Sequence, residues 1–293
     1  MKGRTVYKKT ILPVKSDVVF RLFYADERNE EFLIGLLKSM LRLPEEDYHK
    51  IEIADPHLLR EFDGDKLAIV DVKLYTKSRK VIHIEIQLKV NAELRSRVIL
   101  YNAKLITEQI GSGDDYEAIN KVITILITEE NMIASSPNYH HRFMLYDADA
   151  GVEFSDLLEI HTLELRKLPE GSDGTELYDW AKFIDAETEE ELVMIEERNP
   201  TIGKAIVKLR ELSADEKARD LYERREKARR DRVAENKWAR QQGIQEGIQQ
   251  GIQQVKLEIV RNAFQIGINI DDIVKLTGLN RNEVECIRNE KLN

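Results

Sequence analysis

Cysteine is almost missing from this sequence of 293 residues, where Cys286 stands alone. An internal disulfide is therefore excluded, which fits a reducing compartment. A lone thiol of this kind is expected to pack as a small apolar group. Long apolar runs are missing too. No stretch approaches the roughly 20 residues needed to cross a bilayer, and the opening MKGRTVYKKTILPVKSD lacks the apolar segment of a signal peptide. The expectation is a cytoplasmic protein with no membrane segment. Positive charge is not in excess: the net charge of −9 rules out the global basic footprint of many nucleic-acid binders, although an acidic protein can still carry a basic cleft. The tandem His140–His141 has no Cys or Asp at a zinc-like spacing, so a zinc site is not expected. GSGDD (111–115) has neither a strand-to-helix setting nor a Walker lysine, which excludes a phosphate-binding glycine loop.

What is present is a globular chain, 42% hydrophobic with a highly charged surface, long enough for one large domain or two small ones. Residues 16–43 carry two sets of apolar positions at helical spacing: Val18, Val19, Leu22 and Phe23, then Phe32, Leu33, Leu36, Leu37 and Met40. Ser16 or Asp17 is the expected N-cap, and Pro44 ends the second helix. Two strand-like runs follow, 66–75 and 81–89, joined by the polar TKSRK. Residues 91–110 read as an amphipathic helix and KVITILIT (121–128) as a buried strand. Further strands are expected at 142–146 and 157–165. The economical architecture is an α/β mixed sheet flanked by helices, followed from about residue 176 by a long helical region.

That helical region is dense in Glu, Lys and Arg over 176–240. Residues 213–240 alternate charge sign as suits an exposed helix with i,i+4 pairs. Next comes a Gly-Ile-Gln repeat over 241–256, with Gly243, Gly247 and Gly251 alternating with Ile244, Ile248 and Ile252. It reads either as a connector or as a close-packed helix interface between subunits. Residues 257–293 read as a small helical unit, two short helices around TGLN, similar to a helix-turn-helix fragment. It is too short for a sizeable core of its own, and packing onto the long helix or self-association is expected of it before DNA reading. A homo-oligomer, most simply a dimer, is expected.

The segment VDVKLYTKSRKVIHIEIQLK (70–89) carries the chemistry. Side chains alternate faces along a strand, so Val70, Val72 and Leu74, with Ile82, Ile84, Ile86 and Leu88, form one apolar face. The other face carries Asp71 and Lys73, with His83, Glu85, Gln87 and Lys89. With the loop centred on Ser78, Asp71 stands opposite Glu85 and Lys73 opposite His83, with β-carbons about 4.5–5.5 Å apart. Two readings stay open for the carboxylates. One is the wet face of an ordinary sheet. The other is a site for Mg²⁺, which uses one or two protein carboxylates and fills its octahedron with water and phosphate oxygens.

The spacing Asp-x13-Glu-x-Gln, set within helix–strand–strand–helix–strand, resembles the PD-(D/E)XK nuclease superfamily. More closely, the chain resembles the Rpn recombination-promoting nucleases, also called PD-(D/E)XK nuclease family transposases. The stretches that carry the likeness are SDVVFRLF, DKLAIVDVKLYT, VIHIEIQLK, RVILYNAKL, YHHRFMLYD, LEIHTLEL, LSADEKARDLYERREKARRD and LTGLN, in order from about residue 10 to 290. The resemblance implies a restriction-endonuclease-like core over 1–175. It also implies Mg²⁺-dependent hydrolysis of DNA (Mn²⁺ as the alternative) that leaves a 5′ phosphate, and a link to recombination or mobile elements. Asp71 and Glu85 would be metal ligands. Gln87 stands where the superfamily commonly has a lysine, and Val70 where it has a proline. Lys89 or Lys73 would then supply the missing cation. Arg97 and Tyr101 match a recurrent Arg-x3-Tyr, and Asp17 a polar position of the first helix. His83 is expected to be a neutral, hydrogen-bonded histidine. The alternative function is a nuclease-derived DNA-binding or assembly protein with little or no catalysis.

Overall fold

The computed structural model describes residues 11–55 and 71–289. The expected strand positions 66–70, Val70 among them, and the last four residues lie outside the described residues. Two compact units divide between Arg225 and Glu226.

In the first unit the order is α1 (Asp17–Tyr24), α2 (Glu30–Met40), β1 (Glu52–Ala54), β2 (Val72–Tyr75), β3 (Val81–Gln87), α3 (Leu94–Thr107) and β4 (Val122–Thr128). Then come β5 (His140–Tyr146), β6 (Glu153–Glu164), α4 (Glu176–Asp185), α5 (Glu189–Glu196) and α6 (Pro200–Ala214). The strands form one mixed sheet in the order β1-β2-β3-β4-β6-β5. β3, β4 and β6 run parallel, and the remaining pairs are antiparallel. This is the restriction-endonuclease-like α/β arrangement expected from the sequence. β1 was not anticipated: three residues, Glu-Ile-Ala, show no alternation to read.

Both faces of the sheet are covered. On one, Val72, Leu74, Ile82, Ile84, Ile86, Ile123, Ile125 and Ile127 pack with Phe20, Phe23, Phe32, Leu36 and Trp180 from the helices. On the other, α3 lays Leu105 over Val81 and Val122, and Leu94 and Val98 over Leu126. A doubly covered parallel strand is mostly apolar: all seven residues of β4 are buried, and only Thr124 and Thr128 are polar. α2 and α4 approach closely at Gly35, where an added Cβ would lie 2.5 Å from Trp180 Cζ2.

The β2–β3 turn sets the register of the site. Arg79 has φ 65°, its N–H bonds Thr76 O (2.9 Å), and Thr76 N–H bonds Lys80 O (3.0 Å). This is a three-residue hairpin loop closed by a left-handed residue. Buried Asp47 locks it from outside, accepting from Ser78 N (3.0 Å), Thr76 Oγ1 (3.1 Å) and Lys80 Nζ (2.8 Å). These donors hold the Asp47 carboxyl down to about 2 against its burial. Lys73 pairs with His83 and Val72 with Ile84, the register expected for a loop centred on Ser78.

A single helix, α7 (Glu216–Gln265), carries the charged segment and continues through the Gly-Ile-Gln repeat. The i,i+4 pair Arg224–Asp220 and the i,i+3 pair Arg229–Glu226 form on it. In the second unit, Val260 and Ala263 of α7 pack with Ile273 of α8 (Ile270–Thr277), and with Leu279 and with Val284 and Ile287 of α9 (Arg281–Asn289). Asn269 caps α8 by accepting from Asp272 N (3.0 Å), and Gly278 at φ 67° ends it. Cys286 is exposed rather than packed, because the inward positions of α9 are taken by Val284 and Ile287. Among the described residues no helix is long and apolar enough to cross a membrane.

Candidate active site

The polar face of the hairpin lies under α3. His83 is fully enclosed, and Lys73 and Glu85 are buried; the wet-face reading is thereby overturned. Continuing the observed register by one residue puts Asp71 opposite Glu85 on this enclosed face. Asp71 Oδ2 accepts the Ile86 backbone N–H at 2.8 Å, which fixes the carboxyl against β3. Burial, with the charge of Asp17 behind it, pushes the Asp71 carboxyl up to about 6. Burial and the charge of Asp71 push Glu85 up to about 7. Each carboxylate is thus desolvated, and the two repel.

Arg97 closes the site from α3. Its Nη2 donates to Gln87 Oε1 (2.7 Å) and Glu85 Oε1 (3.0 Å). Glu85 Oε2 is buried with no hydrogen-bond partner among the described residues, and so is Arg97 Nε. Tyr101, one turn along α3, is half-buried, and its hydroxyl is pushed up by burial and by the charge of Glu85. The helix is pinned in place by a buried chain. His83 Nε2 and Thr124 Oγ1 share a short hydrogen bond, and Thr124 Oγ1 donates to Asn102 Oδ1 at 2.6 Å. Burial lowers the His83 imidazole to about 4, so it is neutral at ordinary pH. It is a structural link, as its sequence context suggested.

Other expected residues stand further out. Lys73 is bound to Glu108 (2.9 Å) towards the far end of α3. Lys89 is exposed, two residues beyond β3. Asp17 is not the N-cap of α1; Ser16 holds that place. The Asp17 side chain instead accepts from Val18 N (2.9 Å) and pairs with Arg225 at the start of α7. His140 and His141 diverge to opposite faces of the sheet. His140 stacks on His161, and His141 lies 3.2 Å from Glu164. Sequence reasoning missed Asp47, Glu108 and Arg225. Each acts on a residue more than 30 positions away, so no local spacing marks them.

A family model for PD-(D/E)XK nuclease family transposases matches residues 14–239. The chain belongs to this family. The match takes in α1, the hairpin, α3 and the first part of α7, so every residue of the candidate site lies inside it. No curated protein and no solved structure matches the chain.

The family implies a divalent cation, and the chemistry of the donors fits one. Two desolvated carboxylates repel each other, Arg97 pairs with Glu85 only through Oε1, and Glu85 Oε2 is buried without a partner among the described residues. No group of three or more His, Cys, Asp and Glu side chains is gathered to hold a metal among the described residues. The chain therefore offers two carboxylates, a set that suits Mg²⁺ or Mn²⁺ completed by water and phosphate oxygens.

Proposed function

We propose that this family member is a divalent-metal-dependent DNA endonuclease that hydrolyses phosphodiester bonds in recombination or in the movement of mobile elements. The observation that carries the reading is the pairing of half-buried Asp71 with buried Glu85, whose Oε2 is unpartnered. Asp71 and Glu85 would hold Mg²⁺ or Mn²⁺, and Gln87 and Lys89 would complete the catalytic group. When bound, the cation supplies polarisation of a phosphoryl oxygen and a bound water of lowered pKa.

The chain's own groups supply position. The Ile86 N–H keeps the Asp71 carboxyl turned towards β3. Gln87 gives its Oε1 to Arg97, leaving two amide N–H donors to orient a water or a phosphate oxygen. Exposed Lys89 places a positive charge at the rim, where the DNA backbone arrives. The nuclease core is taken as residues 1–175, the charged helical region as 176–240, the repeat as a connector over 241–256, and 257–293 as an accessory helical unit. Exposed Ile244, Ile248, Ile252, Val255 and Ile259 recur at helical spacing on α7, which supports a homodimer; two strand cuts would use its two sites. The lone exposed thiol suits a reducing, cytoplasmic setting.

Nicking of supercoiled plasmid with Mg²⁺ or Mn²⁺ tests the reading, wild type against Asp71→Ala. Loss of cleavage in the variant, with its melting temperature kept, supports it. Equal nicking by both proteins would trace the activity to a contaminant. A second reading, a nuclease-derived DNA-binding protein with little catalysis, draws on the uncharged Gln87, and is favoured if the wild type binds DNA without cutting it.

A further inference from the structure

Hydrolysis of a phosphodiester spreads negative charge over the phosphoryl oxygens in the transition state, and a positioned cation there contributes much of the rate. Gln87 brings no charge. Among the described residues, the cation hydrogen-bonded to this group is Arg97, through Nη2 to Glu85 Oε1 and Gln87 Oε1. The contacts divide the site cleanly. Both N–H groups of Nη2 are used, whereas Nε is buried without a partner. Glu85 gives Oε1 to Arg97 and leaves Oε2 open to a metal ion. The guanidinium and a divalent cation are therefore compatible neighbours on one carboxylate, not rivals for it. Nε is buried, but the Arg97 side chain is about one-third exposed, so the guanidinium can be reached from outside. The pin formed by His83, Thr124 and Asn102 holds the helix that presents it.

We propose that Arg97 is a catalytic residue of this site, binding a non-bridging oxygen of the scissile phosphate through the N–H donors that Glu85 and Gln87 leave free. The inference rests on the nuclease reading above. Water adds its oxygen to phosphorus as the P–O3′ bond breaks. One water proton ends on O3′ and the other passes to solvent, and Arg97 stays charged throughout. Lys73 cannot take this part, being bound to Glu108.

The test uses the full chain as wild type, Arg97→Ala, Arg97→Lys and Asp71→Asn, with three measurements. These are Mn²⁺ binding by calorimetry, affinity for duplex DNA in Ca²⁺ at several salt concentrations, and plasmid nicking in Mg²⁺. Arg97→Ala is expected to retain Mn²⁺ binding and to lose about 10²–10³-fold in nicking rate. Its slope of log affinity against log salt should be shallower by about one, the loss of one phosphate contact. Arg97→Lys should restore the slope and only part of the rate, since an ammonium lacks the guanidinium fork. Asp71→Asn should lose Mn²⁺ binding and keep the slope. Wild-type nicking and slope in Arg97→Ala would overturn the proposal, as would a loss matched by lost Mn²⁺ binding. If the wild type binds DNA without cutting it, the nuclease reading fails and the salt slope alone decides the role of Arg97. A wild type that binds no DNA overturns both.

Discussion

Half-buried Asp71, one residue ahead of β2, bonds the Ile86 N–H of β3 beside buried Glu85, and their carboxyls are held at about 6 and about 7. Their unfolded-state values are about 4 and 4.5, so between roughly pH 4 and pH 7 the folded chain holds more protons than the unfolded chain. Stability contributed by this pair therefore falls as pH rises through that window, by a few kcal/mol in all, and levels off above it. Melting temperature followed from pH 4 to 8 in EDTA should fall more steeply for the wild type than for an Asp71→Asn, Glu85→Gln double variant. Mg²⁺ should recover stability at pH 8 in the wild type alone. Identical curves for the two proteins would refute this account of the pair.

The buried link from His83 to Asn102 runs through one hydroxyl. Thr124→Val keeps the shape of the side chain and leaves both neighbours without their partner, at a cost of about 1–3 kcal/mol. Because α3 also presents Arg97, cleavage should drop along with stability. Chemical denaturation and plasmid nicking measure the two. A variant as stable as the wild type would show that the link is idle.

Gly35 sits where α2 meets the indole of Trp180. Trp180 is wholly buried and cannot retreat, so Gly35→Ala should cost about 1–3 kcal/mol through overpacking, despite alanine's better helix propensity. Urea midpoints decide it; a gain in stability would mean that α4 yields.

On α7 the opposite holds. An added Cβ at Gly243, Gly247 or Gly251 would meet nothing within 4 Å. Each change to alanine should stabilise the isolated helix by about 1 kcal/mol, seen as added helicity by circular dichroism. Ile248→Asp should halve the solution mass measured by light scattering if the isoleucine stripe joins two copies. An unchanged dimer mass would place the interface elsewhere.

The hairpin was legible because its two periodicities agree. Alternating Val72, Leu74, Ile82, Ile84 and Ile86 demand one buried face, and a polar loop centred on Ser78 leaves a single register. The start of β6 at Glu153, ahead of the expected 157, was not legible. Its first residues are largely exposed beside the edge strand β5 and carry no apolar alternation. The enclosure of the polar face was hidden for another reason: the apolar residues of α3 do not reveal which sheet face they cover. Docking of α3 brings Arg97 to Glu85 and Gln87, 12 and 10 residues away in sequence. Of the two expected caps Ser16 holds the place, and the pairing of Asp17 with Arg225 was not legible because a capping aspartate and one that serves a distant arginine look alike in sequence.

The pin that ties α3 to the middle of the sheet has a consequence for how such proteins diversify. A charge mounted on a strand is locked in by its neighbours' backbone ladder, and moving it means re-registering the whole sheet. Mounted on a helix held by apolar packing and one threonine-centred link, the same charge can be shifted or withdrawn by small changes along that helix, while the carboxylates keep their places.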